Sequence, residues 1–217
     1  MHFKAIITAG GSSNRFGNTN KLLEKIHSKE VIKHTIDAFL SVNEIAEIVI
    51  CANLSIIDEL KEIFKNVEKI TLIEGGKTRQ QSVFNGLQVL EKCNYVLIHD
   101  GARPMITPEI IKKTIEAVQI QKALTVATKT IDTIKQVDEN LKIIKTIDRS
   151  ALYNTQTPQA FEYDLIKTAH EKLAGQDFTD DAGMLEHLGY NVYILEGDYK
   201  NIKITTQNDI EIAKAYL

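Results

Sequence analysis

The chain has 217 residues, 43% of them hydrophobic, and a formal net charge of −3. That length fits one domain better than two and supplies enough apolar side chains for a substantial core. With no basic run and a slightly acidic balance, a broad nucleic-acid-binding face is excluded, so an anionic ligand must be met by a local cluster of cations.

Met1-His2-Phe3-Lys4 leads into a strand at once, without the organisation of a signal peptide. The predicted strand is Phe3–Thr8. A glycine-rich stretch follows, Ala9-Gly10-Gly11-Ser12-Ser13-Asn14-Arg15-Phe16-Gly17, with Lys21 just beyond it. Ser28–Leu40 has helical spacing, Glu47–Ala52 reads as a strand, Ile56–Phe64 as a helix and Ile70–Glu74 as a strand. Gln80–Leu90 (helix), Tyr95–His99 (strand), Pro108–Gln119 (helix, capped by Thr107) and Ala123–Ala127 (strand) continue the alternation. Such βαβα order predicts an α/β fold: a Rossmann-like, three-layer arrangement with a mainly parallel twisted sheet and helices on both faces. The order then breaks. Thr130–Lys135 and Lys142–Thr146, joined by Asp138-Glu139-Asn140, read as a hairpin that projects as an arm at about 130–150. A two-stranded arm is marginal alone, which points to a partner subunit; folding back onto its own sheet is the competing reading. Helices Tyr163–Leu173 and Thr179–Leu188, strands Asn191–Leu195 and Asn201–Ile204, and a helix Gln207–Tyr216 complete a single domain spanning 1–217. Cys51 and Cys93 end apolar stretches and read as buried or half-buried thiols without a disulfide framework. No apolar run is long enough to span a bilayer, so a cytoplasmic protein away from membranes is expected.

The clusters that carry chemistry follow predicted strands. The loop at 9–17 is neither a Walker A loop nor a dinucleotide fingerprint. Its place after the first strand favours phosphate binding by backbone amides over an ordinary surface turn. Gly75-Gly76-Lys77-Thr78-Arg79-Gln80-Gln81-Ser82 opens a helix after the third strand and suits a nucleotide base and ribose; a glycine turn with a solvated arginine is the competing reading. His99-Asp100-Gly101-Ala102-Arg103-Pro104 ends the fourth strand. There Asp100 could bind Mg²⁺ directly or through water, bind a ribose hydroxyl, or staple the turn by pairing with Arg103; His99 reads as a structural histidine. In Thr179-Asp180-Asp181-Ala182, Thr179 looks like an N-cap and the two aspartates complement the helix dipole. Lys203, flanked by Ile202 and Ile204, is drawn toward the protein by its neighbours.

Taken together, Ala9-Gly10-Gly11-x-Ser13-x-Arg15, Lys21, Gly75-Gly76-x-x-Arg79-x-x-Ser82, His99-Asp100-Gly101-Ala102-Arg103-Pro104, Gln156-Thr157-Pro158-Gln159-x-Phe161, Thr179-Asp180-Asp181-Ala182 and Asn201-Ile202-Lys203-Ile204-Thr205 resemble the 2-C-methyl-D-erythritol 4-phosphate cytidylyltransferase family over essentially the whole chain. The resemblance implies transfer of CMP from CTP to a polyol phosphate, with Mg²⁺, in a homodimer whose arm reaches the neighbouring site. Residue by residue, it implies that Ala9, Gly10, Gly11 and Ser13 line the triphosphate loop, and that Gly76, Arg79 and Ser82 hold cytosine and ribose. Arg15 and Lys21 would stabilise the transition state at the α-phosphate. Lys203 and the partner's copy of Arg149 would position the polyol phosphate, with Thr133, Thr157 and Thr179 in contact with it. Asp100 and Arg103 would bridge nucleotide, metal and substrate. The family's usual Pro-Lys-Gln is Asn20-Lys21-Leu22 here, a loop glycine is Ser13, and Gly101 stands where alanine is frequent; no charged group is lost. Ribitol-5-phosphate cytidylyltransferase and a catalytically silent nucleotide-binding regulator on the same fold remain as alternatives.

Overall fold

The computed structural model spans residues 1–217 and describes all of them except 12–15 and 17–19. In chain order the elements are β1 (Phe3–Ala9), β2 (Lys25–Ile26), β3 (Lys29–Glu30), α1 (Val31–Leu40), β4 (Ile45–Ala52), α2 (Ile57–Phe64), β5 (Ile70–Glu74), α3 (Arg79–Val89) and β6 (Tyr95–Asp100). They continue as α4 (Pro108–Gln121), β7 (Ala123–Lys129), β8 (Lys135–Val137), β9 (Ile143–Thr146), β10 (Tyr153–Glu162), α5 (Tyr163–Lys172), α6 (Asp181–His187), β11 (Tyr193–Glu196) and α7 (Gln207–Tyr216).

A seven-stranded sheet runs in the order β11-β7-β10-β6-β1-β4-β5. β1 pairs in parallel with β4 and β6, and β4 with β5 and β7 with β11 likewise. β10 alone runs antiparallel, against both β6 and β7. Period-two alternation along β1 makes the layers: Phe3, Ala5, Ile7 and Ala9 enter one core and Ile6 the other. The first core takes Ile36 and Phe39 of α1, Leu60 of α2, Ile111 of α4 and Ile210 of α7. The second takes Leu87 of α3, Ile166 of α5 and Leu185 of α6. Parallel pairing aligns the strand ends, since Thr8 lies opposite Asp100, and Ala9 opposite Ala52, which lies opposite Glu74. The three loop clusters read from the sequence therefore emerge at one edge of the sheet.

Several expectations are corrected. α1 starts at Val31, not Ser28, because His27 and Ser28 form a positive-φ turn (49° and 68°) between β2 and β3. β10 was not anticipated as a strand; its middle, Gln156-Thr157-Pro158-Gln159, is polar yet buried, and the Thr157–Pro158 bond is cis. Asn201–Ile204 is not a strand. It is a segment outside the sheet, tied down by isolated hydrogen bonds that include Ile204 N–H to the Ala102 carbonyl (2.8 Å) and Asn201 N–H to the Asp198 carbonyl (3.0 Å). α6 begins at Asp181, and its cap is Asp180, which accepts from the Gly183 amide at 3.0 Å, instead of Thr179. The arm exists as an exposed two-stranded sheet outside the main one, but its first strand is 135–137 instead of 130–135. Thr130 stays with the body through its N–H bond to the Leu152 carbonyl (2.9 Å). Both cysteines are free and buried, and burial pushes the Cys51 thiol up to about 12.

Candidate active site

Two cavities open on either side of one wall. The first, about 400 Å³, is lined by Ala9, Gly10 and Gly11 after β1, by Lys21, by Gly76–Arg79 and Ser82, and by Asp100 and Lys203. The second, about 260 Å³, is lined by Arg103, by Gln156, Thr157 and Gln159 of β10, and by Thr179 and Asp180. Arg79, Asp100 and Lys203 belong to both.

The glycine loops build the first chamber. Gly76 has no room for a side chain: a Cβ there would collide with the Gln81 side chain and lie 2.8 Å from the Gln81 carbonyl carbon. That tight turn is held from below by Ser82, whose Oγ accepts from the Gly76 amide (2.9 Å) and donates to the Thr78 carbonyl (2.9 Å). Thr78 caps α3 by accepting from the Gln81 amide at 3.0 Å. Ser82 is buried, so it shapes the loop through its hydroxyl.

The wall is an ion cluster centred on Asp100. Its Oδ1 accepts from Thr8 Oγ1 (3.2 Å) and Arg79 Nε (3.2 Å). Its Oδ2 lies 2.7 Å from Lys203 Nζ and 3.8 Å from Arg103 Nε. Burial works against the ionised carboxylate, but Arg79, Lys203 and Arg103 outweigh it and hold Asp100 far below the usual carboxylate range. Arg79 also binds Asp181 Oδ2 through Nη1 at 2.6 Å, and Arg103 donates from Nη1 to the Asn201 carbonyl at 2.7 Å. Three cations and two carboxylates leave the cluster with one net positive charge before any ligand arrives.

Thr157 fixes this wall from β10. Its Oγ1 accepts the Asp100 backbone N–H (3.1 Å) and hydrogen-bonds with His99 Nδ1 (3.0 Å). His99 is fully buried, and burial lowers its pKa to about 3, so its ring is neutral.

Of the residues singled out by sequence, Ala9, Gly10, Gly11, Lys21, Gly76, Arg79, Ser82, Asp100, Arg103, Thr157, Thr179 and Lys203 line one chamber or both. Ser13 and Arg15 lie outside the described residues. Thr133 and Arg149 are not brought to the wall: both are exposed, and Arg149 lines a separate hollow with Ile131, Asp148 and Tyr199. Sequence reasoning missed Asp181 as a partner of Arg79, because 102 positions separate them. It also left Gln159 without a task, although its Oε1 accepts the amides of Asp181 and Ala182 (3.0 and 3.3 Å).

A glycine-walled anion chamber, a second polar chamber and a shared cationic wall suit the joining of two phosphorylated molecules. Comparison with known proteins agrees. Residues 3–217 match the family model of 2-C-methyl-D-erythritol 4-phosphate cytidylyltransferase. The chain belongs to this family. A cytidylyltransferase of that name from Caldanaerobacter subterraneus is 40% identical, with 100% of this chain and 99% of that protein covered. Another from Clostridioides difficile is 41% identical over 99% of this chain and 93% of its own length. Among solved structures, 4-diphosphocytidyl-2C-methyl-D-erythritol synthase from Anaerococcus prevotii superposes with a TM-score of 0.89 at 37% identity, covering 99% of this chain and 95% of that one. As in those cytidylyltransferases, the α/β fold with a mostly parallel sheet is the scaffold. No helix among the described residues is long and apolar enough to cross a membrane.

Proposed function

We propose that this chain transfers CMP from CTP to 2-C-methyl-D-erythritol 4-phosphate, releasing pyrophosphate and supplying isoprenoid precursor synthesis. The observation that carries the reading is the wall of Arg79, Asp100 and Lys203 common to both chambers. CTP occupies the first chamber and the polyol phosphate the second. A phosphate oxygen of the polyol attacks the α-phosphorus; that P–O bond forms as the bond to the bridging oxygen of pyrophosphate breaks. A phosphate monoester is already ionised near neutrality (its second pKa is about 6), so no general base is required, consistent with a buried, neutral His99.

What remains is positioning two anions that repel each other and stabilising the charge that builds between them. Ala9, Gly10, Gly11 and Ser13 cradle the triphosphate, and Gly76 and the loop that Ser82 braces receive cytosine and ribose. Arg15 and Lys21 act at the α-phosphate. Lys203, with a side chain 42% exposed, can turn from Asp100 toward the incoming phosphate. Arg103, Thr157 and Thr179 face the polyol. Arg149 and Thr133, far from the wall in sequence and exposed here, act from the arm of a partner subunit in a homodimer. A Mg²⁺ ion is proposed with the nucleotide: such ions use one or two carboxylates together with substrate phosphates. Asp100, the carboxylate that lines both chambers, is the residue proposed to hold it. The ion would neutralise phosphate charge. A cytoplasmic setting is part of the proposal. Pyrophosphate release from CTP tests the reading, with methylerythritol phosphate and ribitol phosphate compared, each with and without Mg²⁺. Release with the first and not the second is expected; release with ribitol phosphate alone, or with neither, overturns it.

A further inference from the structure

Arg79 grips Asp100 with half of its available fork. Nε donates to Asp100 Oδ1 at 3.2 Å, while the neighbouring Nη2, the nitrogen that would complete a two-pronged bond to the same carboxylate, is buried with no hydrogen-bond partner among the described residues. The other terminal nitrogen, Nη1, is committed to Asp181 Oδ2 at 2.6 Å. Asp181 is itself held on every side. His170 Nε2 lies 3.0 Å from its Oδ1, and its backbone N–H is accepted by Gln159 Oε1. Asp181 and His170 are each 1% exposed at the side chain, and the His170 ring lies against Phe84. Burial opposes ionisation of Asp181, but Arg79, then His170, keep it low, so it is a carboxylate and His170 is the donor.

From this geometry we infer that Asp181 and His170 are positioning residues that hold Arg79 off-register on Asp100, leaving Asp100 Oδ2 to Lys203 and to the ligands of the two chambers. Without the pull of Asp181, the guanidinium is free to close its Nε–Nη2 fork over both oxygens of Asp100. That fork would displace Lys203 from Oδ2, where it stands at 2.7 Å. The run His170–Asp181–Arg79–Asp100–Lys203 thus sets how the wall divides its charge between the chambers. His170 contributes by occupying Oδ1, so that Asp181 presents Oδ2 to Arg79. Neither residue lines either of the two chambers.

The inference rests on the cytidylyl-transfer reading above, and the test separates the two. Asp181→Asn keeps the size of the side chain and the backbone bond to Gln159. Misplacing a reacting group by about 1 Å can cost roughly 100-fold in rate. Asp181→Asn is therefore expected to lower kcat by about 10- to 100-fold. In side-chain ¹⁵N NMR, the Arg79 Nη2 protons should shift as they acquire an acceptor. His170→Phe, which keeps the ring but not the donor, should move both readouts in the same direction. His170→Gln, whose amide can still donate to Asp181, should restore them. Unchanged kcat in folded Asp181→Asn, an unmoved Arg79 guanidinium spectrum, or a His170→Gln protein as impaired as His170→Phe overturns the inference. If Asp181→Asn fails to fold, the two His170 variants decide by the same criteria. If the wild-type chain releases no pyrophosphate at all, the functional reading falls, and the guanidinium spectrum still decides the positioning role.

Discussion

The Asp100 wall and the arm differ in where their partners come from. The carboxylates of the wall are buried and are answered within the chain, Asp100 by Thr8, Arg79, Arg103 and Lys203 and Asp181 by Arg79 and His170. In the arm the chain leaves large apolar side chains in water: Leu141, Ile143 and Ile144 are 81, 57 and 59% exposed. A buried ion network is costly to assemble and strongly destabilising to break, so it persists when it has a task. An exposed apolar row is costly to leave uncovered, and it is on this row that the proposed second copy would seat. The wall is assembled within one chain, whereas the task proposed for the arm needs two.

The sharpest way to break that contrast is at the wall. Lys203→Ala or Lys21→Ala is expected to cut kcat by about 100-fold or more in a protein that folds and keeps its assembly state, since each would remove the preorganised contact to phosphate proposed for it. Near-normal turnover in steady-state assays would remove these lysines from the mechanism. Arg149→Ala should cost about 10-fold or more, and the loss should be repairable in trans. Mixed with Lys203→Ala after subunit exchange, it should regain about a quarter of wild-type activity, because half the dimers are mixed and half of their sites are intact. No recovery would place Arg149 outside the neighbour's site. A smaller effect on chemistry is expected from Ile143→Asp with Ile144→Asp: sedimentation velocity should show a shift toward monomer, with CTP affinity within about threefold of wild type and little change in Tm, as for substitutions on an exposed surface. Unaltered sedimentation would separate the arm from self-association.

A separate effect is expected on stability against pH. His99 is held at about 3, against an ordinary 6.5, chiefly by burial. Below pH 6.5 the unfolded chain gains a proton that the folded one refuses, so His99 reduces stability as pH falls from about 6.5 to about 3, by at most about 1.4 kcal/mol per pH unit. Asp100, with its pKa depressed, supplies stability present above the unfolded carboxylate pKa and lost as pH falls below it. His99→Gln should flatten the slope of Tm between pH 6.5 and 4; parallel slopes for variant and wild type would overturn this account.

Much of the first chamber was legible because its signals are local. The strand at Phe3–Ala9 and the loop after it are adjacent in sequence, and parallel pairing brings Thr8 opposite Asp100. β10 was illegible for a physical reason. Gln156, Thr157 and Gln159 are buried by hydrogen bonding instead of apolar character, and Pro158 argues against an interior strand. Asn201–Ile204 misled in the opposite sense: its alternating isoleucines pack like a strand, yet its backbone attaches to Ala102 by one bond. The Arg79–Asp181 bond had no signal to read, because nothing local links α3 to the start of α6. Arg149 and Thr133 came from resemblance alone, and a single chain leaves both in the open.

The wall gathers Thr8, Arg79, Asp100, Gln159, Asp181 and Lys203, which span almost the whole length of the polypeptide. Contacts between such distant positions carry the largest loop-closure cost and dominate the folding time. A chain refolding from denaturant should thus recover its helical circular dichroism before it recovers turnover. A nascent chain still lacking the segment at 201–204 would have a nucleotide loop but no Lys203 on the wall.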